Sequence, residues 1–406
     1  MRVSFLTGFF PSYRYNEIIS HSRGVIQYAA DALQNSILQG LIGVYPDITV
    51  INLPYLGGYP QLYNKPIYSG SKGSHLLSNG QSHIINDIGF CNIKGIKHLS
   101  RYYQVRHALH RWCEQNNGEQ KVVLIYAVTS PFIKACADMK KKFQDLKIVL
   151  IVPDLPEYMG GTNSGYMKYI RQVNQKILNK GYQVVDGYVL LSEYMREKLP
   201  VNDKPWSVME GIYNPLEEVE NDIGDVNYGK FILYTGTLAK RYGILNLVNA
   251  FCETHNTEFK LLICGAGDAE TEINKSAKRD KRIVYLGQLP RKNILTLQKN
   301  ATILVNPRTP EGEFTKYSFP SKTMEYFGSG TPCLIYKLPG IPTEYYEYCY
   351  ALEDVSNESL SRKLEMLMEK PEEELKAMGS SAKDFITKFK NPSSQVIKIK
   401  EIIDQL

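Results

Sequence analysis

The stretch Lys121-Val122-Val123-Leu124-Ile125-Tyr126 is followed by Pro131 to Phe143 and then by Lys147-Ile148-Val149-Leu150-Ile151-Val152. Two apolar runs of strand length flank a segment of helical length with proline in its first turn. Apolar runs of this kind read as strands buried on both faces, and a helix between them makes the pairing parallel. The same alternation extends in both directions.

Toward the amino end, Val3 to Phe10 reads as a strand, Gly24 to Leu41 as an amphipathic helix and Asp47 to Leu53 as a second strand. Residues 54–95, rich in Gly, Tyr, Asn and Ser, read as an extended loop region. Toward the carboxyl end come a helix at Gly165 to Asn179, a strand at Gly187 to Leu191, a short helix at Glu193 to Leu199 and a strand at Trp206 to Met209. Residues 214–228 are acidic and turn-rich, and read as a linker. The alternation then restarts, with strands at Phe231–Tyr234, Lys260–Cys264, Arg282–Leu286 and Thr302–Val305, and helices at Gly243–Glu253 and Pro290–Lys299. The expected organisation is therefore two α/β domains with parallel sheets, residues 1–213 and 229–384. The last helix, 385–406, is expected to pack back on the first.

Composition narrows the class. With 406 residues, 43% hydrophobic and 22% charged, the chain has the make-up of a globular protein of more than one domain. It contains no apolar run long enough to span a bilayer. Met1 to Phe10 is too short for a secretory leader and reads as the first strand. The seven cysteines (Cys91, Cys113, Cys136, Cys252, Cys264, Cys333 and Cys349) form no CxxC pair, and the seven histidines no metal spacing. The cytoplasm is the expected compartment, and no metal or cofactor is expected. A net charge of +6 without a dense basic patch argues against nucleic acid.

Four segments carry candidate chemistry. In Phe319-Pro320-Ser321-Lys322-Thr323-Met324-Glu325-Tyr326-Phe327-Gly328-Ser329-Gly330, Pro320 suits the first helical position. The N–H groups of the first turn, with Lys322, can hold an anion. Glu325 lies one turn beyond Ser321 on the same face and can accept two hydrogen bonds from vicinal ribose hydroxyls. Taken alone, the segment also reads as a plain amphipathic helix with a surface glutamate. In Tyr234-Thr235-Gly236-Thr237-Leu238-Ala239-Lys240-Arg241-Tyr242-Gly243, a strand ends in a glycine turn bearing two cations, suited to a diphosphate or to an ordinary basic loop. Cys264-Gly265-Ala266-Gly267-Asp268 ends another strand. Glu270 stands where a dinucleotide fingerprint would need its third glycine. Asp154 and Glu157, after the strand ending at Val152, can meet acceptor hydroxyls or stabilise a turn.

Together these segments resemble the family-4 retaining glycosyltransferases of the GT-B fold, over roughly residues 229–352. The resemblance takes in Gly236, Gly265 to Gly267, Val284-Tyr285-Leu286-Gly287, Leu304-Val305-Asn306-Pro307 and the string from Ser318 to Pro332. Asp186 to Leu199 and Gly211 are also similar to the family's approach between domains. The resemblance implies two Rossmann-like domains with parallel sheets facing a central cleft. It implies transfer of a sugar from a nucleoside-diphosphate donor, expected to be a UDP-sugar, with retention and without metal. The implied acceptor is a saccharide or polyprenyl-linked saccharide of surface polysaccharide synthesis, with peripheral contact at the inner membrane face.

By the same resemblance Glu325 would bind ribose. Ser321, Lys322, Gly236, Thr237, Gly265, Gly267 and Phe319 would lie by the donor. Gly287 and Leu289 would hold the base, and Lys240 or Arg241 would neutralise the departing nucleotide. The sequence departs from the pattern at Tyr317, where the family carries its first glutamate, with Glu311 and Glu313 nearby. It also lacks a histidine in Tyr126–Ser130. A catalytically silent partner subunit and a UDP-sugar 2-epimerase remain the alternatives.

Overall fold

The computed structural model describes residues 1–24, 26–158, 165–215 and 228–406. The chain forms two compact units, Met1–Ile212 with Pro392–Leu406, and Tyr213–Asn391. Most of the expected linker, residues 216–227, lies outside the described residues.

Unit 1 begins with β1 (Arg2–Thr7), α1 (Tyr15–His21), α2 (Tyr28–Val44) and β2 (Thr49–Asn52). There follow β3 (Ile67–Tyr68), β4 (Ser71–Leu76), β5 (Ser82–Asp87), β6 (Phe90–Cys91) and α3 (Lys97–Gln115). The rest is β7 (Lys121–Tyr126), α4 (Ser130–Lys142), β8 (Leu146–Val152), α5 (Gly165–Tyr182), β9 (Gly187–Leu190) and β10 (Trp206–Val208). The main sheet runs β10-β9-β8-β7-β1-β2-β5-β4, parallel throughout except for the β4–β5 pair. β7 is buried along its whole length, as a central parallel strand must be. Lys121 at its start stays buried because its Nζ donates to the carbonyls of Asn116 and Glu119 at 2.9 and 2.7 Å and pairs with Asp145.

The loop expected over 54–95 is a correction. β5 joins the sheet beside β2, with Val50 opposite Ile85, and β4 folds back on it as a hairpin. The turn closes through Leu77 N–H to Gln81 O at 2.8 Å, with Gly80 at φ +80°. The Asn79-Gly80 pair is the local signal for that turn. The 19-residue helix α3 is a second addition to the expected elements. Its buried stripe, Arg101, Val105, Ala108, Leu109, Trp112 and Cys113, has helical spacing but begins on a charged residue, which hides the period.

Unit 2 contains β11 (Phe231–Thr235), α6 (Ile244–Cys252), β12 (Lys260–Cys264), α7 (Glu270–Arg279), β13 (Ile283–Gly287) and α8 (Arg291–Asn300). β14 (Ile303–Asn306), α9 (Ser321–Ser329), β15 (Cys333–Tyr336), β16 (Tyr350–Leu352), α10 (Asn357–Met368) and α11 (Glu372–Phe389) complete it. Its six strands are all parallel, in the order β13-β12-β11-β14-β15-β16. Tyr213 belongs to this unit: its N–H donates to Lys390 O at 2.8 Å, and its ring lies where a side chain on Gly328 would be.

The final helix, α12 (Pro392–Asp404), packs on α2, β9 and β10 of unit 1. Val396, Ile399, Ile402 and Ile403 enter that core. The returning segment starts at Pro392. Residues 385–389 stay in α11, where the Phe385 ring stacks on Tyr348 at 4.3 Å.

Candidate active site

The carboxyl ends of β11, β12, β13 and β14 bring most of the singled-out residues of unit 2 together. Their loops are tied to one another by the backbone. Gly236 N–H donates to Cys264 O at 3.0 Å, Gly265 N–H to Gly287 O at 2.8 Å and Leu238 N–H to Ala266 O at 2.9 Å. Glycine is required at 265: a Cβ there would stand 1.8 Å from the carbonyl oxygen of Gly236. The loop after β11 also seats on the loop after β14, because Gly243 has φ +76° and its Cα approaches Pro307 O.

α9 supplies the charged groups. Pro320 precedes the helix as its N-cap rather than occupying the first helical position, and Thr323 N–H closes the turn on Pro320 O at 2.9 Å. The proline ring cannot donate, so it sits where its carbonyl serves instead. Ser321 and Lys322 therefore carry the first helical N–H groups, which have no partner within a helix. Gly330 ends the helix at φ +76°, the left-handed cap conformation. Tyr326, fully buried, anchors α9 to β11: its hydroxyl accepts from Thr235 N–H at 3.0 Å.

Glu325 is the centre of a small network. Its Oε1 accepts from Lys322 Nζ at 2.7 Å and from Gln298 Nε2 at 2.5 Å, and the same Gln298 nitrogen donates to Thr235 Oγ1 at 2.8 Å. Burial pushes the Glu325 carboxyl upward, but Lys322, Gln298 and Arg291 outweigh it and hold the group below its ordinary value. The Glu325 side chain keeps 24% of its surface exposed, so it can still meet a ligand. Lys322 reaches toward Gly236, its Cε lying 3.8 Å from where a Cβ on Gly236 would be.

The other candidates divide. Lys240 donates from its N–H to Asp268 at 2.8 Å, and its exposed Nζ pairs with Glu272 at 2.5 Å. Arg241 lies over the rings of Tyr242 and Phe314, 4.9 and 5.7 Å from their centroids. Thr237 O accepts from the Tyr234 hydroxyl at 2.8 Å, and Gly267 N–H donates to Glu270 at 2.8 Å. Gly287, at φ +67°, borders open space, and Leu289 is half-buried against the core. Phe319 is a core residue, with its ring 5.3 Å from that of Tyr345. Tyr317 is 4% exposed, and its hydroxyl lies 3.4 Å from Glu313 Oε1. Asp154 and Glu157 are exposed in unit 1, after β8.

Two residues at this site were not singled out by sequence. Gln298 on α8 orients Glu325 from 27 positions away. Arg308, after β14, shares the rings of Tyr242 and Phe314 with Arg241 at 5.6 and 4.6 Å, and donates to Ser318 Oγ at 2.8 Å. The turn Asn306-Pro307-Arg308 at a strand end is the signal that could have found it. Among the described residues, no group of three or more His, Cys, Asp or Glu is placed to hold a metal ion.

Two parallel α/β units with these loops define the GT-B fold. Residues 217–385 match the family described as Glycosyl transferases group 1. Solved structures agree in fold over the whole chain. The Anabaena HepE protein in complex with UDP is 12% identical with a TM-score of 0.62, covering 100% of both chains. The sucrose-phosphate synthase of Thermosynechococcus elongatus is 10% identical with a TM-score of 0.63, covering 100% of this chain and 99% of that one. The lipopolysaccharide outer core galactosyltransferase WaaB in its apo form is 12% identical with a TM-score of 0.59, covering 100% and 99%. No curated protein matches the chain in sequence.

Proposed function

We propose that this chain is a retaining glycosyltransferase that moves a sugar from a UDP-sugar to a saccharide or lipid-linked saccharide. The observation that carries the reading is Glu325, exposed on one side and held on the other by Lys322 and Gln298, one turn into a helix whose N-terminus meets the glycine loop at Gly236. In the bound state the ribose hydroxyls would donate to Glu325. The diphosphate would take Lys322, the Ser321 and Lys322 N–H groups and the guanidinium groups of Arg241 and Arg308. A part-exposed ion pair such as Lys322–Glu325 is worth about 1 kcal/mol or less, so exchanging it for ligand costs little.

With fixed cations on the diphosphate, the bond from the sugar to its phosphate oxygen can break with charge developing on the nucleotide. The acceptor hydroxyl then attacks the same face and its proton ends on the departing diphosphate. The reading places the enzyme in the cytoplasm, at the membrane face when its acceptor is lipid-borne. The test is UDP release from a panel of UDP-sugars, with and without candidate acceptors and with and without EDTA. Acceptor-dependent release that EDTA leaves unchanged is the expected result. Loss of release in EDTA would overturn metal independence. UDP binding without release from any donor would favour a silent sugar-nucleotide-binding subunit, the reading that buried Tyr317 supports, since it stands where the resemblance has a glutamate.

A further inference from the structure

Unit 1 holds a cavity of 320 Å³ between the segment after β2, the residues Ser22, Arg23, Ile26 and Gln27, and the first turns of α3 and α4. Arg23, Lys97, His98 and Arg101 all reach its wall, and none of the described residues lining it is acidic. Arg101 is 4% exposed and donates to the carbonyl oxygens of Leu53 and Pro54, both at 2.8 Å. The rings of Phe90, Phe132 and Tyr55 lie 4.7, 5.1 and 5.3 Å from its guanidinium carbon. Carbonyls and rings fix that guanidinium in place, but no carboxylate among the described residues pairs with it, where a buried cation is ordinarily paired. Lys97, one turn earlier, donates to Leu56 O. Burial and the neighbouring Arg101 draw its ammonium down to about 8. His98 is lowered by burial and by the same two cations. The positive charge is therefore concentrated, and no acidic side chain among the described residues lining the cavity answers it.

The remaining wall is partly apolar, with Phe10 and Leu62 prominent. Beside it, the start of α3 turns Ile96, Leu99 and Tyr103 outward, 52, 55 and 57% exposed, at the i, i+3, i+7 spacing of one helix face. An exposed apolar row next to a cationic cavity suits an amphiphile with an anionic head.

We propose that this cavity takes the phosphate or diphosphate head of a prenyl-linked acceptor, with Lys97, Arg101 and Arg23 as its cationic partners and His98 as a hydrogen-bonding neighbour. The acceptor role rests on the transferase reading above; the anion site itself rests on unit 1 alone.

The test titrates the full chain with farnesyl diphosphate, inorganic diphosphate and glucuronate by calorimetry, using wild type, Lys97→Met and Arg23→Gln. Arg23 is exposed, so Arg23→Gln keeps the fold and guards against a folding defect in the first variant. Farnesyl diphosphate is expected to bind most tightly, and Lys97→Met to weaken it about tenfold or more. Arg23→Gln is expected to weaken it less, with an effect that salt removes. Equal affinity for inorganic diphosphate, or tighter binding of glucuronate, would overturn the lipid source. No saturable binding at millimolar ligand, or equal binding by wild type and both variants, would overturn the site. UDP titrated in parallel separates the two readings. If UDP fails to bind while the Lys97→Met effect persists, the transferase reading falls and the anion site stands.

Discussion

Glu325 is ionised in the fold at a lower pH than a free glutamate would be, because the cationic and amide donors around it outweigh its burial. A carboxyl depressed in the folded state contributes stability that is present above its unfolded value and lost as pH falls through the folded one. The window therefore opens below the ordinary 4.5. The stability difference between wild type and Glu325→Gln should be constant from neutral pH to about 5 and should shrink as the solution is acidified further. Urea unfolding midpoints for both proteins across that range check this, and parallel curves would contradict it. Lys322 and Glu325 were legible in the sequence because their partnership is local, three positions apart on one helix. Gln298 was not, since nothing in its own neighbourhood distinguishes it from other helical glutamines. Its role exists only once α8 and α9 both reach β11.

At the scale of elements, the buried parallel strands were the most readable part of the chain. β7 and β8 are apolar apart from Lys121 and Lys147 near their starts, and their boundaries move by a residue or so between sequence and structure. The helix α3 and the β4–β5 hairpin were unreadable for opposite reasons. The stripe of α3 opens on Arg101, whose burial depends on backbone carbonyls from the segment after β2. β4 is mostly exposed and both strands of the hairpin are built largely from polar residues, so their alternation carries little apolar contrast. The glycine loops were legible as turns. Their reason is close approach between loops, which only the fold reveals: the Gly265–Gly236 contact joins segments nearly thirty positions apart.

At the scale of the molecule, α12 closes unit 1 from the far end of the chain. Val396, Ile399, Ile402 and Ile403 are each no more than 2% exposed. At about 1.5–3 kcal/mol for each fully buried side chain, removing them forfeits about 6–12 kcal/mol, as much as a domain's whole stability. A chain truncated after Asn391 should lose the unit 1 transition in calorimetry and keep that of unit 2. Two retained transitions would contradict the packing described here. The central claim is that the loop ends of unit 2 and the start of α9 hold a nucleoside diphosphate through Glu325 and Lys322. The most direct test is titration of the full chain with UDP, GDP and ADP by thermal shift, for wild type and Glu325→Ala. The account predicts a shift with UDP in wild type, weakened about tenfold or more in affinity in the variant. No shift with any nucleotide, or an equal shift in both proteins, would contradict it.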